Sequence, residues 1–80
     1  MKEKNRLLTL VKAMHEDQKK KLLQTGRDFV PHLTEEDVLQ PNDFRELEEN
    51  PHFRYEEGIL AGIQMVEMAL RAELLSELSG

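Results

Sequence analysis

The last 28 residues before the C-terminal dipeptide, "PHFRYEEGILAGIQMVEMALRAELLSEL" from Pro51 to Leu78, constrain the fold more than any other stretch. At ~1.5 Å per residue they predict a helix about 42 Å long. A compact 80-residue domain has a radius of gyration near ~12 Å, so such a helix overhangs it. The helix is also apolar on two sides. At ~100° per residue, Ile59, Ile63, Val66, Leu70 and Leu74 fall within ~80°. A second face carries Gly58, Ala61, Gly62, Met65, Met68, Ala69 and Ala72. A helix with two apolar faces needs two partners.

One partner lies in the same chain. Residues 2–24 predict a second long helix. Leu7, Leu10, Val11, Met14, Gln18 and Leu22 share a stripe ~120° wide, with Lys12, Glu16, Lys19 and Lys20 opposite. Gly26 is expected to end it in the left-handed conformation. This helix can cover one face of its partner but not both. The expectation is an antiparallel pair within the chain, with the small-residue face seated on a second copy in a four-helix arrangement. Helices of 2–24 and 51–78 then form a single all-α domain over residues 1–80.

The connection holds two shorter helical turns. Thr34 reads as an N-cap before Glu35, Glu36 and Asp37, with Leu33 and Val38 spaced as a hydrophobic staple; this turn covers about 34–40 and stops at Gln40-Pro41. Asp43 and Glu46 have capping-box spacing for a turn over about 43–49. Asn50-Pro51 then reads as a cap followed by proline at the first helical position. The first turn there is expected to be loose, with Gly58 able to delay the regular helix.

Charge divides along the chain. Residues 1–30 hold eight Lys/Arg against four Asp/Glu, a net of +4, and residues 31–80 hold three against twelve, a net of −9. The favoured reading is mutual attraction of two halves of one fold. A basic surface for nucleic acid, built on Lys12, Lys19, Lys20, Lys21 and Arg27, is the alternative, weakened by the absence of interleaved aromatics. With no cysteine in the chain there is neither a disulfide framework nor a thiolate metal site. The charged N-terminal stretch does not read as a signal peptide, and no apolar run approaches the ~20 residues of a membrane span. The expected setting is the cytoplasm, without membrane contact.

Catalytic constellations are weak. Glu49-x-x-His52 has the spacing of a carboxylate–histidine metal motif, but Pro51 interrupts the helix that would aim both groups. Glu46, Glu49, Glu56 and Glu57 resemble the acidic clusters that hold magnesium in a metal-dependent hydrolase, yet Glu is also the ordinary residue of a solvated helix. His15 is expected half-buried against the core, and His32 in a loop. No nucleophile–base pair or phosphate-binding loop is visible, so no metal, cofactor or catalytic residue is assigned. The preferred function is a non-catalytic interaction or adaptor protein working as a homodimer, with another protein as a further partner. Its candidate recognition patch is His52, Phe53, Arg54 and Tyr55, for which the competing role is to plug the end of the hairpin.

Overall fold

The computed structural model describes residues 2–79 of the chain. Its elements in order are α1 (Lys2–Arg27), α2 (Glu35–Val38), a 3-10 turn (Pro41–Asp43), α3 (Arg45–Glu48) and α4 (Pro51–Ser79). No strand occurs among the described residues. Helices α1 and α4 pack against each other as an antiparallel hairpin, and the short elements close one end. The molecule measures 47 × 19 × 17 Å with a radius of gyration of 15.3 Å, against ~12 Å for a compact chain of this length.

The two long helices meet along seams with the 3-4 spacing of a coiled coil. On α1 the seam is Lys4, Leu8, Val11, His15, Gln18, Leu22 and Thr25, with Leu23 and Gly26 also withdrawn from solvent near its end. On α4 it is Phe53, Glu56, Leu60, Ile63, Glu67, Leu70 and Leu74, with Arg54, Glu57 and Ile59 partly withdrawn beside it. Alternating steps of three and four keep side chains turned to one neighbour when two helices run nearly side by side. This corrects the expected inner faces. Leu7, Leu10, Met14 and Val66 are about half exposed, because each apolar stripe is wider than the strip one neighbouring helix covers. The charge split resolves as attraction within the chain: Lys4 pairs with Glu73 and Glu77, and Lys21 with Glu56.

The dense apolar core sits at the closed end. Leu22, Leu33, Leu47 and Phe53 are fully buried there, and Val30, Val38, Phe44 and Leu60 pack around them. Helix α1 reaches Arg27, past the expected stop near residue 24, and Gly26 lies inside it without a positive φ. Gly26 is therefore not a left-handed terminator. Its role is close approach: a Cβ there would stand 2.4 Å from Leu33 Cδ2 and 3.2 Å from Phe53 Cε1. The Arg27 Nε–H donates to the Leu33 carbonyl at 2.8 Å and ties the reversing chain to the helix end.

Local capping holds the connection in shape. Thr34 and Asp37 form a reciprocal capping box, as the acidic first turn leads one to expect. Asp43 does not cap the next turn; it lies in the 3-10 turn, and Phe44 precedes α3 with no side-chain cap. The proline at position 41 starts that tight turn, so the N-terminus of α3 moves one residue on. The Asn50 Oδ1 accepts the Phe53 N–H at 2.9 Å, and α4 starts at Pro51 and runs through Gly58 without delay.

Gly26→Ala tests the close approach. Overpacking costs ~1–3 kcal/mol, and the gain in helix propensity returns up to ~1 kcal/mol. The expected net loss is about 1 kcal/mol, a fall in Tm of about 4–8 °C. A rise in Tm for this variant would show that Gly26 is not needed for packing.

Candidate functional site

The interior of the hairpin is polar where a helix pair is ordinarily greasy. Midway along it, His15 Nδ1 lies 2.7 Å from Glu67 Oε2. A carboxylate only accepts, so Nδ1–H is the donor. Gln64 Nε2 faces the other ring nitrogen at 3.4 Å, and Arg71 donates to Glu67 Oε1 at 2.8 Å. One turn toward the closed end, Gln18 Nε2 donates to Glu56 Oε2 at 2.6 Å and to the Glu56 carbonyl at 3.0 Å. At the open end Lys4 lies between Glu73 and Glu77.

These contacts set the ionisation of the seam. The hydrogen bond from His15 holds the Glu67 carboxyl below the ordinary carboxylate range, against the opposing effect of burial and with help from Arg71. The bond from Gln18 does the same for Glu56, with Lys21 assisting. Lys4 lowers Glu77 and is itself raised, first by Glu77 and then by Glu73. Glu56 and Glu67 are only 3% and 8% exposed, and buried carboxylates of this kind persist only when hydrogen-bonded or paired. No buried side-chain polar atom among the described residues lacks a partner.

The four residues of the candidate patch do not share one environment. Phe53 is fully buried in the closed-end core. Arg54 is a clasp: its guanidinium donates to the Glu48 carbonyl at 3.1 Å, to Glu57 at 2.7 Å and to Asn42 Oδ1 at 2.8 Å. His52 is exposed, and Tyr55 is 67% exposed. Helical geometry explains the division, since adjacent residues point ~100° apart. Position 53 meets the hairpin end while 52 and 55 point away from it.

The seven positions expected as a dimer face, from Gly58 to Ala72, are all exposed. A Cβ at Gly58 or Gly62 would meet nothing within 4 Å. Met65 and Met68 are 71% and 70% exposed.

The acidic residues weighed for metal chemistry disperse. Glu56 turns into the seam, Glu57 pairs with Arg54, and Glu49 pairs with Arg45 on the surface. Among the described residues no group of three or more His, Cys, Asp or Glu side chains is arranged to hold a metal ion. No helix among them is long and apolar enough to cross a membrane. An open groove of about 420 Å³ lies between α1, α2 and α4. Its floor includes Leu22 and Leu60, and its rim sets Lys19 and Lys20 against Glu16 and Glu35, which leaves no net charge to select a ligand.

Sequence reading placed Gln18 on the inner stripe of α1 but missed Glu56 and Glu67 as seam residues. The signal that finds them is the 3-4 spacing read through polar residues as well as apolar ones, combined with matching donors and acceptors on the two helices. No protein-family model matches the chain, and no curated protein or solved structure matches it.

Proposed function

We propose that this chain is a non-catalytic protein-interaction module that works as a homodimer. The observation that carries the reading is the inverted distribution of polarity. Charged and amide groups occupy the middle of the hairpin, while Leu7, Leu10, Met14, Met65, Val66 and Met68 remain between 47% and 71% exposed. Large apolar side chains left exposed in patches mark interaction sites.

The area supports a partner of comparable size. The accessible surface is 6010 Å² for a 9.3 kDa chain. A compact monomer of that mass exposes about 5,000 Å². The excess of about 1,000 Å² is close to the ~800 Å² that each partner contributes to a stable interface. Helix α4, apolar on much of its outer side, supplies most of the exposed large apolar side chains. His52 and Tyr55 lie near the closed end and suit contact with a further protein, because an exposed Tyr beside charged neighbours is a common anchor of such contacts.

Sedimentation equilibrium at micromolar concentration tests the homodimer. The expected result is a species of twice the 9.3 kDa chain mass. A monomer throughout that range would overturn the proposal. A second reading, nucleic-acid binding along α1, has less support because Lys4 and Lys21 are paired with acids of α4.

A further inference from the structure

Each long helix carries a second 3-4 stripe beside its seam. On α1 it runs Glu3, Leu7, Leu10, Met14, Asp17, Lys21; every member stands one residue before a seam residue. On α4 it runs Tyr55, Ile59, Gly62, Val66, Ala69, Glu73, and again each stands one residue before a seam residue. One step back along a helix turns the side chain by ~100°. Two antiparallel helices facing each other are related by a two-fold axis perpendicular to their common plane, and that rotation carries one side of the pair onto itself. Stepping back from the seam on both helices therefore lands on the same side of the hairpin. Leu7, Leu10, Met14, Ile59 and Val66 form one face shared by α1 and α4. Most of the α4 small-residue stripe, including Ala61, Met65, Met68 and Ala72, points away from α1 instead.

We infer that a second copy of this chain docks on the shared α1/α4 face, antiparallel to the first, about a two-fold axis near Val66 and the level between Leu10 and Met14. This rests on the homodimer reading and places the contact on two helices of each copy instead of one. The charges carry the orientation. The α1 stripe has Glu3 at one end and Asp17 and Lys21 at the other, with Leu7, Leu10 and Met14 between. Reversing it about the midpoint of Leu10 and Met14 sets Leu10 against Met14 of the second copy. The same reversal brings Glu3 opposite Lys21 and leaves Asp17 at the rim beside Leu7. A two-fold axis along the helices would instead lay α1 on α4 and bring Glu3 near Glu73, which stands at the level of Lys4. On α4 the same reversal about Val66 brings Gly62 toward Ala69, and small side chains there let the backbones approach.

Leu10→Asp tests the face. Leu10 is 57% exposed, so the hairpin itself has little to lose, whereas the assembled dimer would bury two carboxylates. The dimer constant is expected to weaken by at least ~100-fold, with the helical circular dichroism retained. Met68→Ser, on the far side of α4, is expected to leave the dimer intact. Glu3→Lys and Lys21→Glu are each expected to weaken the dimer about 3- to 10-fold; because Lys21 also pairs with Glu56 in its own chain, the double variant is expected to dimerise more tightly than Lys21→Glu alone without reaching wild type. A wild-type dimer that survives Leu10→Asp but is lost on Met68→Ser overturns this docking face while the homodimer reading stands. A double charge variant no better than Lys21→Glu alone overturns the antiparallel orientation. A wild-type monomer overturns both.

Discussion

Phe53→Ala is expected to unfold the chain or bring it close to unfolding at room temperature. Phe53 is the largest fully buried side chain, and it fills the closed end with Leu22, Leu33 and Leu47. Deleting a buried aromatic ring costs ~3–5 kcal/mol. A chain of 80 residues has a total stability of about 4–12 kcal/mol. The loss is thus a large share of the whole, and the described residues hold no second dense apolar cluster to absorb it. Tyr55→Ala, two residues on, removes a ring that is 67% exposed and is expected to change stability by no more than ~0.5 kcal/mol. Urea unfolding of both variants at one protein concentration measures the contrast. Similar midpoints for the two would mean that the closed-end cluster does not hold the hairpin together.

Acid is expected to open the hairpin from its seam. Glu56, Glu67 and Glu77 have carboxyl groups held below their ordinary value of 4.5 in the folded chain. A carboxyl with a depressed folded value binds its proton more readily when unfolded, so its stabilising effect is complete above 4.5 and is lost as pH falls through the folded value. The melting temperature should stay level from neutral pH down to about 5 and fall below 4.5. Glu67→Gln removes one titrating group and the ionic partner of Arg71. Its melting temperature should be lower than wild type at neutral pH and should decline less on acidification. An equal acid slope in the two proteins would show that Glu67 does not carry the effect. At the alkaline end Lys4, raised above 10.5, acts in the opposite sense. Its stabilising effect is present below 10.5 and is lost as pH rises past the folded value.

Much of the architecture was legible because local chemistry and global packing agree. The Thr34 and Asn50 caps and the proline at 51 mark element starts, and the proline at 41 marks the end of the first short turn, through backbone geometry that neighbouring residues alone dictate. The extent of α4 follows from uninterrupted apolar periodicity in the same way, whereas α1 runs three residues past its expected end near residue 24. Misreadings arose where two local solutions compete. Gly26 offered a left-handed helix end, but the helix continues because Leu33 and Phe53 need the space a side chain would take. Asp43 had the spacing of a cap, but the proline two residues earlier drew it into a 3-10 turn.

The candidate surface divides along the same line. From the order of residues alone, Phe53 and Tyr55 are equivalent aromatic neighbours, and Val66 looks as suited to the core as Leu60 and Leu70. What separates them is a rotation of roughly one residue, ~100°, about the axis of each helix, chosen when the two helices dock. The docking satisfies His15 with Glu67 and Gln18 with Glu56, because buried carboxylates without partners cost more than apolar side chains left half exposed. Two long helices, their reversal and their opposite charges follow from neighbours within a few turns. Which side of each helix faces inward is set when the helices pack. That choice depends on pairs up to 73 residues apart, Lys4 with Glu77 being the most distant, and no local pattern encodes it.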